Sequence, residues 1–448
     1  MRRVGSTKTP ALEKQRRAGV VRFDAQCTRG HCRPPQKART AAHAVTIDPP
    51  FSWRNPYPSV RTPVFARNAI ATSHPLAVSA GLRMMARGGN AIDAAIAGAA
   101  VIALAEPCSN GLGSDLFALV WAKGKLHGLN ASGPAPAAWS RQYFAQRYGE
   151  ECEATRPVRG WDTVTVPGAV AGWAALQGRL GRLEFEEVLA PAIEYADRGF
   201  ALSPITQDKW QKGAPLLAGQ PGFDEHFLPF GRVPEIGQRV TIPGAARTLR
   251  SIARTRGESF YRGEIAEAIA QFAEATGGAL TVADLAGYAP RWVDPIAGAF
   301  HGHELHQIPP NGQGIAALMC LGILRHTDLA DYRVDSADWY HVGIEAMKIA
   351  FADVYAHVSD PASMRVDAAQ LLDDEYLRER ARRIDMRRAQ SWHCGIAPRG
   401  GTIYLSAADE QGKWIMTISA PVYNGDLRGE EDFLGVVGVS FQLSLIHI

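Results

Sequence analysis

The pattern of apolar positions predicts two successive helices after a short strand at 67–71. Apolar residues at helical spacing run from 76 to 87, and Gly88-Gly89 ends this first helix. Ser73-His74-Pro75 offers an N-cap with a proline in the first turn. Residues 91–104 are almost all Ala, Ile, Val and Leu, so they predict a second helix that is buried on most of its sides.

Capping chemistry and a glycine-rich loop delimit this second helix. Asn90 is placed to cap it, with Asp93 in the first turn, where the helix dipole favours a carboxylate. The loop 106–115 follows, and the apolar run 116–121 predicts a strand. The loop lacks the Gly-Lys-Ser/Thr ending of a phosphate-binding loop, so nucleotide binding is not indicated.

A strand pair is also predicted near the end of the chain. A β-branched and aromatic run follows Gly400-Gly401, the segment 409–412 supplies a turn, and 413–418 has the composition of a returning strand. Thr402 therefore occupies the first position of a strand, directly after a flexible Gly-Gly joint.

That position suits a nucleophilic threonine. A hydroxyl is a weak nucleophile unless a base lies beside it, and the α-amine of the same residue can serve as that base. The amine becomes free only if the Gly401–Thr402 bond is cut, and the Thr402 hydroxyl can begin that cut by attacking the Gly401 carbonyl. Taken alone, an ordinary junction between a loop and a strand remains the alternative.

Composition and charge narrow the class of protein. The 448 residues are 46% hydrophobic and 21% charged, as in soluble globular proteins, and no apolar run is long enough for a membrane span. Residues 1–40 hold 11 Lys/Arg against two Asp/Glu, so the rest is net acidic although the total is +3. Nucleic-acid binding is therefore not expected. Residues 1–50 are interpreted as a basic disordered tail or a mis-assigned start.

Cysteine usage and the absence of a signal peptide bear on chemistry and location. The six cysteines have no repeating spacing, so reduced structural thiols are expected, and no His/Cys/Asp/Glu cluster has the spacing of metal ligands. Without a visible signal peptide the expected location is the cytoplasm, with the periplasm left open if the start is mis-assigned.

Eight sequence blocks, in one order, carry a resemblance to a known family. They are Gly88–Ala97, Glu106-Pro107 with Gly111–Asp115, Val166-Pro167-Gly168, Pro191-Ala192-Ile193 with Gly199-Phe200, Phe260–Gly263, Gly277-Gly278 with Leu280-Thr281 and Asp284-Leu285, Pro309–Gly314, and Glu345-Ala346 with Asp353. Over about 58–442 the chain resembles the γ-glutamyltransferase family, in its γ-glutamyltransferase-like branch.

The resemblance implies an α+β fold, the αββα four-layer sandwich of N-terminal-nucleophile hydrolases. It implies a zymogen that cleaves itself between Gly401 and Thr402, with 51–401 as the large subunit and 402–442 as the start of the small one. Thr402 would take a γ-glutamyl group from glutathione or a related amide as an ester and pass it to water, an amino acid or a peptide. The two subunits would come from one precursor, with no metal or organic cofactor.

Three departures from the family pattern affect the expected site. Ser132 stands where many members have an arginine that holds the donor α-carboxylate, and Arg141 or another basic group is left as a substitute. Tyr423 and Asn424 are candidate displaced equivalents of a hydroxyl residue and an asparagine in the substrate site. The fold is expected to be incomplete at the C-terminus, with 443–448 a non-native, adapter-derived tail.

The resemblance places the residues for the donor α-amine and for the oxyanion hole after the last residue, so this chain by itself is expected to be inactive. Two alternatives stay open at this point. One is an amidase of the cephalosporin-acylase kind with the same fold. The other is a non-catalytic, unprocessed binding homologue.

Overall fold

The computed structural model describes residues 66–149, 157 and 159–390 in full, and it describes the backbone of 403–408 and 414–419. The predictions for Gly401, Thr402, Tyr423 and Asn424 lie outside the described residues.

Within these ranges both strands and helices are numbered in chain order. The strands are β1 (Ala69–Ala71), β2 (Leu116–Ala122), β3 (Lys125–Ala131), β4 (Phe200–Ala201), β5 (Arg239–Val240), β6 (Arg291–Val293), β7 (Ile296–Phe300), β8 (His303–Gln307), β9 (Ile403–Ala408) and β10 (Trp414–Ser419). The helices are α1 (Pro75–Ala86), α2 (Ala91–Ala105), α3 (Arg141–Tyr148), α4 (Ala169–Leu180), α5 (Phe185–Arg198), α6 (Pro204–Leu217), α7 (Phe223–Phe227), α8 (Pro243–Thr255), α9 (Glu258–Arg262), α10 (Glu264–Ala275), α11 (Val282–Ala286), α12 (Ile315–Leu324), α13 (Ala337–His357), α14 (Ala368–Leu371) and α15 (Asp374–Ala381). Two 3₁₀ turns occupy Trp161–Thr163 and Leu329–Asp331.

Six strands form one antiparallel sheet in the order β1-β9-β10-β2-β3-β6. The predicted strand pair near the end of the chain is confirmed, because β9 and β10 are neighbours and lie between β1 and β2. A two-residue loop joins β2 to β3, and both of its residues, Lys123 and Gly124, have positive φ (53° and 75°). Positive φ at both positions is typical of the hairpin turns that match the twist of the flanking strands.

Helix α2 is the buried centre of the main core, as its composition predicts. Every residue from Ala91 to Ala105 is buried, and the helix packs on α1, α5, β9 and β10. The predicted cap is confirmed, since Asn90 and Asp93 form a reciprocal capping box. At α1 the capping residue of the Ser73-His74-Pro75 motif is His74, whose Nδ1 accepts the N–H of Leu76 at 3.2 Å.

The two faces of β2 differ in what they contact. Leu116, Ala118 and Val120 belong to the main core with α2, whereas Phe117 and Trp121 point to the other side, where Trp121 is 39% exposed. On that other side Ile308, directly after β8, approaches β3, where a Cβ added to Gly128 would lie 3.0 Å from its Cδ1.

A second core joins the hairpin β7–β8 to helices α12 and α13. Ile315 and Met319 of α12 and Ile349 of α13 are buried in it, and Phe300 of β7 packs against them. Helix α12 contacts both strands of the hairpin. The layers of the described part therefore run in the order helices, six-stranded sheet, β7–β8 hairpin, helices.

Asp93 is the residue through which the start of α2 is tied to a distant loop. It is fully buried, and its Oδ2 accepts backbone N–H groups of Asn90 at 2.9 Å, Arg182 at 3.0 Å and Leu183 at 3.3 Å. We expect Asp93→Ala to lower the free energy of unfolding by about 2–4 kcal/mol, because it removes a cap and leaves buried donors unpaired. Urea denaturation measures this loss.

The matched control is Asp338→Ala, which removes an exposed aspartate from the first turn of α13. Only the helix-dipole contribution, about 0.3–1 kcal/mol, is lost there. Equal losses in the two variants would contradict the role assigned to Asp93.

Candidate active site at one end of the central sheet

One row of residues crosses five strands of the central sheet. The register aligns Tyr404, Ile418, Phe117, Asn130 and Arg291. Three inter-strand steps, each about 4.8 Å, separate β9 from β3, so the start of β9 lies about 14 Å from the end of β3. The residue that the sequence predicts as the nucleophile, Thr402, immediately precedes β9 in the chain.

Ser132 is part of a closed ring of three side-chain hydrogen bonds. The Asn130 Nδ2–H donates to Asn311 Oδ1 at 2.8 Å, the Asn311 Nδ2–H donates to Ser132 Oγ at 3.1 Å, and the Ser132 hydroxyl donates to Asn130 Oδ1 at 2.9 Å. Asn130 is only 6% exposed. We call these three residues the polar ring. It carries no formal charge, and each amide keeps one further N–H for another partner.

The loop after β3 holds the polar ring in place through close backbone contacts. Gly133 has φ +76°, and a Cβ there would lie 1.7 Å from the carbonyl oxygen of Val166, so only glycine fits. The Val166 N–H donates to the Pro134 carbonyl at 2.9 Å. A Cβ on Gly168 would lie 2.0 Å from the carbonyl oxygen of Ala131. The Val166-Pro167-Gly168 block thus packs directly against the loop that carries Ser132.

Arg291 is the cation that the register places beside the polar ring. It lies opposite Asn130 in the β3–β6 pair and is exposed, and among the carboxylates of the described residues none forms an ion pair with it. Side chains opposite each other in an antiparallel pair share one face of the sheet. Arg141, the substitute considered from the sequence, instead begins helix α3 outside the sheet.

A buried tyrosine lies near the same end of β2. Tyr288 is 8% exposed, and in the described part of the chain its Oη has no hydrogen-bond partner. Burial, and then the nearby Asp115 carboxylate, raise the pKa of Tyr288, so the hydroxyl stays protonated at neutral pH. Asp115 directly precedes β2, and a Cβ on Gly168 would lie 2.7 Å from Tyr288 Oη.

A buried carboxylate anchors α3, which follows the polar-ring loop. Asp162 accepts the Tyr143 and Tyr148 hydroxyls at 2.6 Å each and Arg147 Nη1 at 2.8 Å, and its side chain is 2% exposed. Burial by itself raises the pKa of this carboxyl, but the hydrogen bonds from Tyr143, Tyr148 and Arg147 outweigh burial and lower it.

The described thiols and acidic groups give no sign of metal chemistry. Over 66–149, 157 and 159–390, no three or more His, Cys, Asp or Glu side chains are arranged to hold a metal ion. Cys108 and Cys320 are free and buried, and burial raises their pKa to about 12 and about 11. Such thiols are inert near neutral pH. None of the described helices combines the length and apolar character that crossing a bilayer requires.

Most of the polar ring and its cation are not among the residues that the sequence predicts for the site. Asn311 falls in the Pro309–Gly314 block, but neither Asn130 nor Arg291 is a predicted site residue. The partners Asn130 and Asn311 are 181 positions apart. Arg291-Trp292-Val293 is too short a run to predict a strand by its pattern, and no local pattern shows which strand lies beside it.

The comparison with protein families gives one assignment. The model for gamma-glutamyltranspeptidase matches residues 77–423, which is most of the chain. The chain belongs to this family.

Individual relatives in the family differ in the activities that their names state. The chain is 34% identical over 359 residues to the Acylase ACY 1 proenzyme of Pseudomonas sp. (strain SE83), covering 78% of this chain and 64% of that protein. It is 33% identical over 321 residues to the Glutathione hydrolase-like YwrD proenzyme of Bacillus subtilis (strain 168), covering 71% of this chain and 60% of that protein. The chain thus spans less than two thirds of the length of these curated relatives.

Solved structures confirm the predicted fold. The structure of cephalosporin acylase from Bacillus halodurans superposes with a TM-score of 0.75 at 40% identity, over 90% of this chain and 73% of that one. The chain therefore has the fold of the N-terminal-nucleophile hydrolases, and its relatives are made as proenzymes.

The Asp162 anchor gives a stability prediction with a defined pH dependence. We expect Asp162→Asn to lower the free energy of unfolding by about 2–3 kcal/mol at pH 7, because the three donors lose a charged acceptor and one of its two oxygens. A carboxyl with a lowered pKa contributes stability above its unfolded pKa and loses that contribution as pH falls through the folded pKa. The difference from the unmutated protein should therefore shrink below about pH 4.

Urea titrations between pH 3 and pH 7 measure this difference, with Asp208→Asn as the control. Asp208 and Lys212 form an exposed pair whose side chains are 61% and 55% accessible, so its loss should cost less than about 1 kcal/mol. A difference for Asp162→Asn that stays constant over this pH range would contradict the assigned role.

Proposed function

We propose that this protein is a self-processing N-terminal threonine hydrolase and acyltransferase that cleaves γ-glutamyl amides such as glutathione. The observation that carries the proposal is the placement of β9. This strand begins one residue after the Gly401–Thr402 bond, in a member of the gamma-glutamyltranspeptidase family, at the sheet end that holds the polar ring. The names of the relatives as proenzymes support processing.

Processing would proceed through an ester. The Thr402 Oγ attacks the Gly401 carbonyl carbon, the C–N bond breaks, and the nitrogen takes the hydroxyl proton. Water then hydrolyses the new C–O bond. The products are a carboxylate on Gly401 and a Thr402 that carries a free hydroxyl and a free α-amine. An α-amine has a pKa of roughly 7.7–8.0, so a useful fraction is unprotonated near neutral pH.

The same threonine would then act on the substrate. Its α-amine accepts the hydroxyl proton while Oγ attacks the γ-carbonyl carbon of the donor, and the protonated amine passes that proton to the leaving nitrogen. A γ-glutamyl ester remains on Thr402. Water releases glutamate from this ester, or the amino group of an amino acid or peptide takes the acyl group.

Recognition of the acyl group is where this protein departs from the family pattern. A neutral serine in place of an arginine forfeits a charged, bidentate contact worth about 1.5–3 kcal/mol. Arg291 lies opposite Asn130 and is free of carboxylate partners among the described residues, so we propose that it binds the donor carboxylate. The spare amide N–H groups of the polar ring would orient the same group.

An amidase of the cephalosporin-acylase kind is the second candidate. The neutral polar ring is compatible with it, because a glutaryl group keeps the terminal carboxylate but lacks the α-amine, so it presents one charged group instead of a pair. The names of the relatives include acylases as well as a glutathione hydrolase-like protein. The ratio of kcat/KM for γ-glutamyl and glutaryl anilides, measured on the full-length protein, separates the two candidates.

Self-processing is tested on a gel. The full-length protein should separate into two bands, Thr402→Ala should remain one band, and Thr402→Ser should still split because serine keeps a hydroxyl. N-terminal sequencing should show that the small subunit begins at residue 402.

A single band for the unmutated protein would support the non-catalytic, unprocessed homologue. Amide turnover with the bond before residue 402 intact would show that the nucleophile is another group.

The role of Arg291 is tested by kinetics with a matched control. We expect Arg291→Ala to raise KM for a γ-glutamyl anilide about 10- to 150-fold, because a charged hydrogen bond is lost. A butyryl anilide has no carboxylate, so its kinetics should not change. Arg141→Ala, which removes an exposed arginine at the start of α3, should leave both donors unaffected. Equal effects of Arg291→Ala on both donors would contradict carboxylate binding.

A further inference from the structure

An ion pair on α13 between a buried glutamate and a half-buried lysine bonds both backbone polar groups of one residue. Glu345 is 1% exposed, and Lys348 Nζ donates to its Oε1 at 2.6 Å. The Gln390 N–H lies 3.4 Å from both oxygens of Glu345, and the Gln390 carbonyl accepts a hydrogen bond from Lys348 Nζ. The Glu345 carboxylate thus accepts a hydrogen bond from the Gln390 N–H, and the Lys348 ammonium donates one to the Gln390 C=O.

The turn that ends at Gln390 is held at a second point on the same helix. His341 Nε2 lies 3.0 Å from the Asp385 carbonyl oxygen, and the Asp385 N–H donates to Gln390 Oε1 at 2.9 Å. His341 and Glu345 are four positions apart, so they lie on one face of α13. We call Glu345, Lys348 and His341 the clamp.

Holding a chain segment in this way differs from ordinary packing. A carboxylate that is 1% exposed is costly to bury, and apolar side chains would secure the turn against α13 without that cost. Apolar contact is non-directional and tolerates sliding of the segment. Hydrogen bonds are directional, so bonds to both the N–H and the C=O of Gln390 fix the position of this residue on α13.

The fixed point lies just ahead of the segment that is cut. Residues 391–402 join Gln390 to Ile403, the first residue of β9, and this stretch contains the Gly401–Thr402 bond. On one side the clamp holds the chain to α13. On the other side β9 is held in the sheet by β1 and β10.

We propose that Glu345 and Lys348 are positioning residues for self-cleavage, with His341 supporting the same turn. This inference rests on the proposed function. Attack on a carbonyl carbon requires the reacting atoms to be held about 3–3.5 Å apart and aligned, and misplacement by about 1 Å costs roughly 100-fold in rate. Fixing the chain on both sides of 391–402 lowers the entropy that the precursor must lose to reach that geometry. After the cut the clamp would still hold Gln390, eleven residues before the new end of the large subunit, on α13.

The experiment follows processing of the full-length precursor over time by gel and intact mass. We expect Lys348→Met and Glu345→Gln each to slow conversion into two subunits at least tenfold. Once processed, both variants should match the unmutated enzyme in kcat and KM, because neither residue touches the substrate. Lys348→Arg should restore processing, since a guanidinium can still donate to both the Glu345 carboxylate and the Gln390 carbonyl.

Val342→Ala controls for simple destabilisation of α13, because Val342 is 1% exposed in the apolar core of the same helix and its side chain has no polar group that could bond the turn. It should lower the melting temperature while leaving the processing rate within about twofold. Normal processing of Lys348→Met and Glu345→Gln would overturn the proposal, and so would an equal slowing by Val342→Ala. An unmutated protein that never splits would instead overturn the proposed function.

Discussion

The antiparallel register of the central sheet is the constraint on which the arrangement of the site depends. It brings residues near 117, 130, 291 and 404 into one row although the chain between them includes most of the helices. A slip of one residue would move each side chain to the opposite face. Such a slip is opposed by the core, because Leu116, Ala118 and Val120 of β2 belong to the same buried cluster as α2. Burial of one face of the sheet therefore determines which side chains lie on the opposite face, where the site is.

Local chemistry explains why much of the fold was predictable. The composition of 91–104 indicated a fully buried helix, Asn90 and Asp93 indicated its cap, and the run after Gly401 indicated a strand and its return. The features that the sequence did not predict depend on pairing between residues far apart in the chain. The contact between Asn130 and Asn311 and the position of Arg291 opposite Asn130 arise from strand order, which no local spacing encodes. At the start of α1 the Ser73-His74-Pro75 motif indicated a cap without choosing its residue, and the structure gives His74 as the capping side chain.

The chemistry of the polar ring bears on the prediction that Ser132 stands in the place of a family arginine. An isolated serine in that place would leave the Asn130 and Asn311 amides to find other partners. Here its hydroxyl closes a ring in which each member donates once and accepts at least once. A closed neutral network holds its members in place, and it carries no charge that would have to be neutralised when the site is empty. A cation needed for an acidic donor is then best supplied from outside the ring, where Arg291 stands.

Buried carboxylates and the hydrophobic core position different parts of the structure. Asp93 fixes the loop at 182–183 to the start of α2, Asp162 fixes α3 behind the polar-ring loop, and Glu345 fixes the turn that ends at Gln390. In each case the carboxylate accepts donors from a segment distant in sequence or from the chain leading towards the site. Apolar packing sets how closely layers approach, but it does not choose one point along a loop. Directional acceptors make that choice, which is why buried carboxylates recur in this fold although the polar ring itself is neutral.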